Sequence, residues 1–231
     1  MEYFDIYKKR LNRYGLDYQS RVQGQREHLF DLYLLKSVYR VEFNYNNEKI
    51  VGSLEKYKQD ETQTLQYLLV PIGVTFPIGT ILNIESGQNK EIPWMVYWLE
   101  EIKASGYNRY VVLRMTHTIK WKHNNENREN LVYLFGGENS SLKDEIQSRS
   151  GAFTLYAENQ NLFSLIFPIE PDLKRDTYIK IDNSYTLESF VVTGYDTQST
   201  PGVMYASLDP VPIRNETQIE NTEDSFWLRG E

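Results

Sequence analysis

Apolar residues recur every three or four positions through the first forty residues and every second position after that, so the chain is expected to change from helix to strand near residue 39. Tyr3, Tyr7, Leu11 and Tyr14 mark a short first helix, which Gly15 stops where a left-handed cap is usual. Asp17 can cap a second helix running to about Lys36. Its apolar stripe is Val22, Leu29, Phe30, Leu32 and Tyr33, with Arg21, Gln25, Arg26 and Glu27 on other faces.

From Tyr39 the period is two. "YRVEFNYNNEKIVGSL" reads as a hairpin with an Asn-rich turn, followed by a polar loop, "EKYKQDETQT". Strands are then expected at "LQYLLVP", "TILNIES", "PWMVYWLEEI", "RYVVLRMTHTIKW" and "NLVYLF". Two polar stretches, "HNNENREN" and "GGENSSLKDEIQSRSG", interrupt the pattern as turns, and the second reads as an exposed loop. "FTLYAE", "LFSLIFP", "TYIKID", "ESFVVTGYD" and "GVMYASLDPVPI" complete the strands. The resulting plan has a helical segment at 1–38, a first β unit at 39–135 and an exposed loop at 136–150. A second β unit follows at 151–213, then a C-terminal arm at 214–231, either extended with Phe226, Trp227 and Leu228 docking onto a neighbour or a frayed tail.

The two β units look alike. Over residues 68–84 and 165–181, Leu68/Leu165, Pro71/Pro168, Ile72/Ile169, Thr80/Thr177 and Ile84/Ile181 are identical. After a shift of two residues, Val96 falls on Val191, Tyr110 on Tyr205 and Leu113 on Leu208, with Ser105-Gly106 and Pro201-Gly202 as matching turns. The fold expected is mainly β: N-terminal helices followed by two related antiparallel β-barrel or sandwich units, an arrangement that hides strand edges.

Composition narrows the function. The 231 residues carry 25 Lys+Arg against 32 Asp+Glu, a net charge of −7, so general affinity for nucleic-acid phosphate is not expected. The basic residues Lys8, Lys9, Arg10, Arg13, Arg21 and Arg26 make the helical segment locally positive, either as an ordinary solvated face or as a surface for an acidic partner. No cysteine is present, which removes disulfides and thiolate chemistry and suits a reducing cytosol. No apolar run is long enough to span a bilayer as a helix, and a soluble chain is expected. Tyr, Phe and Trp make up 14% of the residues, more than a β core alone accounts for, which points to subunit interfaces.

Catalytic chemistry finds few candidates. His117 and His123 fall on one face of a strand, where a metal pair is conceivable but solvent-facing residues are the default, and His28 stands apart. Glu100 and Glu101 are neighbours on a strand and point to opposite faces; Asp60-Glu61 lie in a loop with Lys56 and Lys58. "FGG" at 135–137 reads as a strand end rather than a phosphate cradle. No catalytic, cofactor-binding or metal residue is assigned, and a non-enzyme is expected. Trp94 and Trp98, at i and i+4, together with Trp121, would form a sugar-stacking platform if the chain were a carbohydrate-binding sandwich.

The stretches "YKKRLNRYG", "EKYKQDETQTLQYLLVP", "GTILNI", "YWLEEIKASGYNRYVVLRMTH", "LKDEIQSRS" and "VTGYDTQSTPGV" resemble those of neck proteins of tailed phages of Gram-positive bacteria, of the head-closure or head-tail connector type. The resemblance runs from the first helix to about Pro212. It implies a virion structural protein assembled in the host cytoplasm as a homo-oligomeric ring. Its partners would be a portal or adaptor protein and tail proteins, with DNA passing through the channel without sequence-specific binding. The doubled β unit departs from the single barrel of smaller head-closure proteins. An adaptor or another tail component, such as a tail terminator, baseplate or distal tail protein, is therefore the alternative.

Overall fold

The computed structural model describes residues 2–46, 48–57, 64–85, 92–100, 106–135, 163–183 and 186–211. The expected loop at 136–150, the strand "FTLYAE", the arm at 214–231, and Lys58, Asp60, Glu61, Glu101, Gly136 and Gly137 lie outside the described residues.

Two helices open the chain, α1 (Glu2–Leu11) and α2 (Tyr18–Lys36). Gly15 takes a φ of 145° in the turn between them, and Asp17 caps α2, both at the positions the sequence indicates. Among the described residues twelve strands follow: β1 (Arg40–Tyr45), β2 (Glu48–Lys56), β3 (Leu65–Pro71), β4 (Ile81–Asn83), β5 (Pro93–Glu100), β6 (Tyr107–Arg114), β7 (His117–His123), β8 (Glu126–Phe135), β9 (Phe163–Pro168), β10 (Tyr178–Asn183), β11 (Thr186–Asp196) and β12 (Val203–Pro210). Asn46, at a φ of 51°, supplies the left-handed residue of the β1–β2 hairpin turn. The expected polar turn "HNNENREN" shrinks to Asn124 and Asn125, both at positive φ, and β8 starts at Glu126. Residues 126–129 are polar because that part of the strand is exposed.

Strand pairing divides the chain between Met115 and Thr116. The first unit is a six-stranded sheet in the order β1-β2-β3-β6-β5-β4; the second is a closed barrel in the order β7-β8-β9-β12-β11-β10, with β10 returning to β7. These orders are the same order written twice. The expected first unit, 39–135, therefore overruns the true division, because 117–135 form β7 and β8 of the second barrel. "RYVVLRMTHTIKW" concealed the break, since its alternation runs unbroken while its backbone changes sheets. The Met115 amide donates to Pro93 in the first unit at 2.9 Å, and the Thr116 amide donates to Val132 in the second at 2.9 Å.

The repeat holds to the level of single hydrogen bonds. In the first unit the Val96 amide donates to Thr80 and the Gly79 amide to Val96; in the second, Val192 donates to Thr177 and Asp176 to Val192. Each unit carries a register shift on the matching strand, between Val96 and Trp98 in β5 and between Val192 and Gly194 in β11. These pairs place Val96 on Val192 rather than Val191. Across the same strands Val96 faces Val112 and Val192 faces Leu208, so Leu208 matches Val112 rather than Leu113. With Pro71 opposite Tyr107 and Pro168 opposite Val203, Tyr110 matches Ala206 rather than Tyr205. Apolar residues at every second position leave a one-residue slip undetectable in sequence, although it reverses which face a side chain occupies.

Both interiors are filled. The first packs Phe43, Leu54, Leu68, Val70, Trp94, Val96, Tyr110 and Val112 into one buried cluster. Phe76 lies across it, its ring 5.3 Å from Tyr110 and 5.8 Å from Phe43, while its amide donates to the Tyr110 hydroxyl at 3.2 Å. Asn108 Nδ2 donates to the carbonyls of Ile72 and Val74 at 2.9 Å each, which pins the segment carrying Phe76. In the second unit Ile119, Trp121, Leu165, Phe167, Ile181, Phe190, Val192 and Leu208 are buried, and Leu173 is buried at the position of Phe76.

The duplicated turn makes a testable contrast. Gly79 sits at a φ of 88° and its counterpart Asp176 at 65°. An L side chain forced to positive φ costs about 1–2 kcal/mol, whereas Asp tolerates the left-handed region. Gly79→Ala is expected to lower stability by about that much and Asp176→Gly to shift it by less than about 1 kcal/mol in urea denaturation. Equal losses at both positions would show that the two turns are not equivalent.

Candidate interaction surface

The N-terminal helices form the most exposed apolar surface among the described residues. Asp17 starts α2: its Oδ1 accepts from the Ser20 amide at 2.9 Å and its Oδ2 from the Ser20 hydroxyl at 2.6 Å. The hydroxyl bond, with the backbone bond second, holds the Asp17 carboxyl below the usual aspartate range.

α2 is seated on the outer face of the first sheet. Phe30 and Leu34 are buried against Leu69, with Val51, Tyr67 and Tyr107 packed alongside. Close approach is possible because residue 106 is glycine, where a Cβ would stand 2.4 Å from the Arg26 carbonyl oxygen. A hydroxyl cluster fixes the far end: the Tyr33 hydroxyl donates to Glu55 and lies 3.2 Å from Ser53 Oγ, and Ser37 Oγ donates back to Tyr33 at 3.2 Å.

This seam is narrower than the predicted stripe. Leu29, Leu32 and Leu35 remain exposed, because α2 meets a sheet on one side only. On α1, Tyr3 is 85% exposed, and Phe4, Ile6 and Tyr7 are also exposed. Lys8, Lys9 and Arg10 occupy the last turn of α1, where cations complement the helix dipole. Lys8 Nζ lies 4.9 Å from the centre of the Phe4 ring and the Arg13 guanidinium 5.5 Å from that of Tyr14. Residues 1–40 hold eight Lys or Arg against five Asp or Glu, leaving seventeen against twenty-seven in the remainder. The helical segment is positive and the rest of the chain strongly negative.

The candidate catalytic residues are scattered. His117 and His123 stand at opposite ends of β7, about 20 Å apart at strand rise and too far to share a metal. The His117 ring lies 2.7 Å from the Thr116 hydroxyl, while His123 Nε2 is 2.9 Å from Asn124 Nδ2 and 3.6 Å from Asp172. His28 packs against Tyr14, their rings 5.6 Å apart. Glu100 pairs with Arg109 at 2.9 Å.

The tryptophan platform is not formed. Trp94 is 1% exposed and Trp121 is fully buried, each inside its own unit. The register shift between Val96 and Trp98 breaks the alternation, so Trp98 turns to the outer face while Trp94 stays in the core.

On that outer face lies a group that local sequence reading missed. Tyr57 and Tyr67 pack at 4.8 Å, Trp98 meets Tyr57 edge-on at 6.0 Å, and the Arg109 guanidinium lies 4.6 Å over Tyr67 while paired with Glu100. Strand pairing and the register shift assemble it, and no local motif encodes that. In the second barrel Lys180 pairs across the strands with Lys120, and burial lowers the Lys180 ammonium below its ordinary range.

No family model matches the chain, and no curated protein matches it. Among solved structures it is similar to MrkH of K. pneumonia in complex with c-di-GMP, at 11% identity and a TM-score of 0.27, covering 85% of this chain and 89% of that one. It is also similar to the same protein in its apo state, at 10% identity and a TM-score of 0.26, covering 83% and 85%. Bacillus subtilis MotI/DgrA, an inhibitor of motility, aligns at 10% identity and a TM-score of 0.20, covering 78% and 89%. At these scores the likeness carries no argument about function.

Two outcomes test how the helices are held. Gly106→Val is expected to lift α2 from the sheet and speed amide exchange across 18–36, at a cost of about 1–3 kcal/mol. Gly73→Ala, where nothing lies within 4 Å of the added methyl, should leave that exchange unchanged. Acidification gives the second test. The folded pKa of Asp17 lies below its unfolded value, so its capping contribution is present above the ordinary aspartate pKa of about 3.9 and is lost as pH falls through the lower folded value. Amide exchange at Ser20 is expected to accelerate, relative to its intrinsic rate, in that acidic window and not between about pH 5 and 8.

Proposed function

We propose that the chain is a structural subunit of a tailed-phage neck, assembling as a ring that joins the head to the tail and helps retain packaged DNA. The observation that carries the assembly part of this reading is the contrast between filled interiors and an uncovered exterior. Each unit buries its own core side chains, while the N-terminal helices present aromatic, aliphatic and basic side chains to solvent. Such a chain is built to touch neighbours. The phage assignment rests on the sequence stretches from "YKKRLNRYG" to "VTGYDTQSTPGV".

A ring subunit needs firm modules and sticky edges, and the two parts of this chain supply one each. Paired, edge-hiding sheets give the modules. The charge split between the helices and the remainder favours head-to-tail contacts, in which a positive surface of one subunit meets a negative surface of the next. The net negative charge keeps the chain from gripping DNA that must move past it.

Electron microscopy of the purified chain and of the particle tests this directly. The expected result is a closed ring in isolation and density for the same ring between portal and tail. Density at the distal end of the tail would make the chain a baseplate or distal tail component, and absence from the particle would refute the virion reading.

A further inference from the structure

α1 is ten residues long, too short to be stable on helix propensity alone, yet Tyr3, Phe4 and Tyr7 face solvent beside Lys8, Lys9 and Arg13. A cover for that face would supply the missing packing, and it must be both acidic and aromatic to match. Such a stretch follows the last described strand. Residues 215–228 carry Glu216, Glu220, Glu223 and Asp224 with no Lys or Arg, and close on Phe226-Trp227-Leu228.

We infer that residues 215–228 of a second copy of the chain bind across α1, with the acidic residues over Lys8, Lys9 and Arg13 and Phe226 and Trp227 against Tyr3, Phe4 and Tyr7. The stretch begins four residues beyond Val211, and fourteen residues span up to about 46 Å when extended, several times the length of α1. Such a contact is heterologous, using a different surface on each partner, and therefore propagates around a ring. A cationic aromatic helix also suits an anionic bilayer. The net negative charge of residues 41–231 would oppose that approach, so an acidic peptide is the better fit.

The inference rests on the assembly reading only in requiring more than one copy. Its test uses three full-length chains in sedimentation velocity at low and high salt: wild type, K8E/K9E/R13E, and E216K/E220K/E223K. Lys8, Lys9 and Arg13 are all exposed, and circular dichroism verifies that each variant folds. The wild type is expected to associate, more weakly at high salt. Each variant alone should associate about tenfold more weakly, and an equimolar mixture of the two should recover association, because each reversed surface then meets a complementary one. F226S/W227S should weaken association without altering its salt dependence.

Variants that assemble like wild type, or a mixture that fails to recover, would overturn the inference and leave the ring reading standing. A wild-type chain that stays monomeric would overturn both. Co-sedimentation with phosphatidylglycerol vesicles that is lost in K8E/K9E/R13E would reassign α1 to a membrane surface.

Discussion

The fold depends on what becomes of the free edges of a six-stranded sheet. An unpaired edge offers a row of amides and carbonyls to any passing strand, and closure removes it. The second unit closes fully, with Ile179, Lys180, Ile181 and Asp182 of β10 paired to β7. Among the described residues the first is drawn together by a bridge between Phe43 and Ile84, with the Glu85 amide donating to the Glu42 carbonyl at 2.8 Å. Phe43 and Ile84 in one unit stand where Ile119 and Ile181 stand in the other. Phe76, whose ring meets those of Phe43, Tyr45 and Tyr110, fills the core beside that bridge.

The side-chain filling of both units sets what their interiors hold. A six-stranded barrel has room for side chains and little else. Trp94 fills part of one interior and Trp121 part of the other. The first unit uses its outer face twice. Gly106 and Leu69 seat α2, and Tyr67, Trp98 and Arg109 form an aromatic and ionic group on the same unit's exterior. Of these, only the helices combine large exposed apolar side chains with a net charge opposite to that of the remaining chain.

Much of this was legible in the sequence. Gly15 and Asp17 set the helix boundaries through backbone freedom and capping chemistry, both local properties. The duplication was visible because Pro71/Pro168 and Thr80/Thr177 recur in fixed order with the same turn hydrogen bonds. The two β units were expected and found, but details set by the exact pairing between distant strands were not. The slip of one residue at Val191, Tyr205 and Leu208 and the supposed shared face of Trp94 and Trp98 arise from register and bulges, and the boundary at 135 rather than 115 from a change of sheet under unbroken alternation, to all of which period-two patterns are blind. The group around Arg109 was hidden for the same reason, since Tyr57, Tyr67, Trp98 and Arg109 meet only through strand pairing.

The central claim is that both halves are side-chain-filled, barrel-like sheets of one strand order, the second closed by β10 on β7 and the first drawn together where Phe43 meets Ile84. Residue-resolved amide hydrogen exchange on the full chain tests it most directly. The account predicts that the Glu85 amide is protected through its bond to Glu42, and that Val96 and Val192 are protected alike as equivalent donors. Free exchange at Glu85, with protection confined to the second unit, would mean that the first sheet is open at its β1 edge, and the account would fail there.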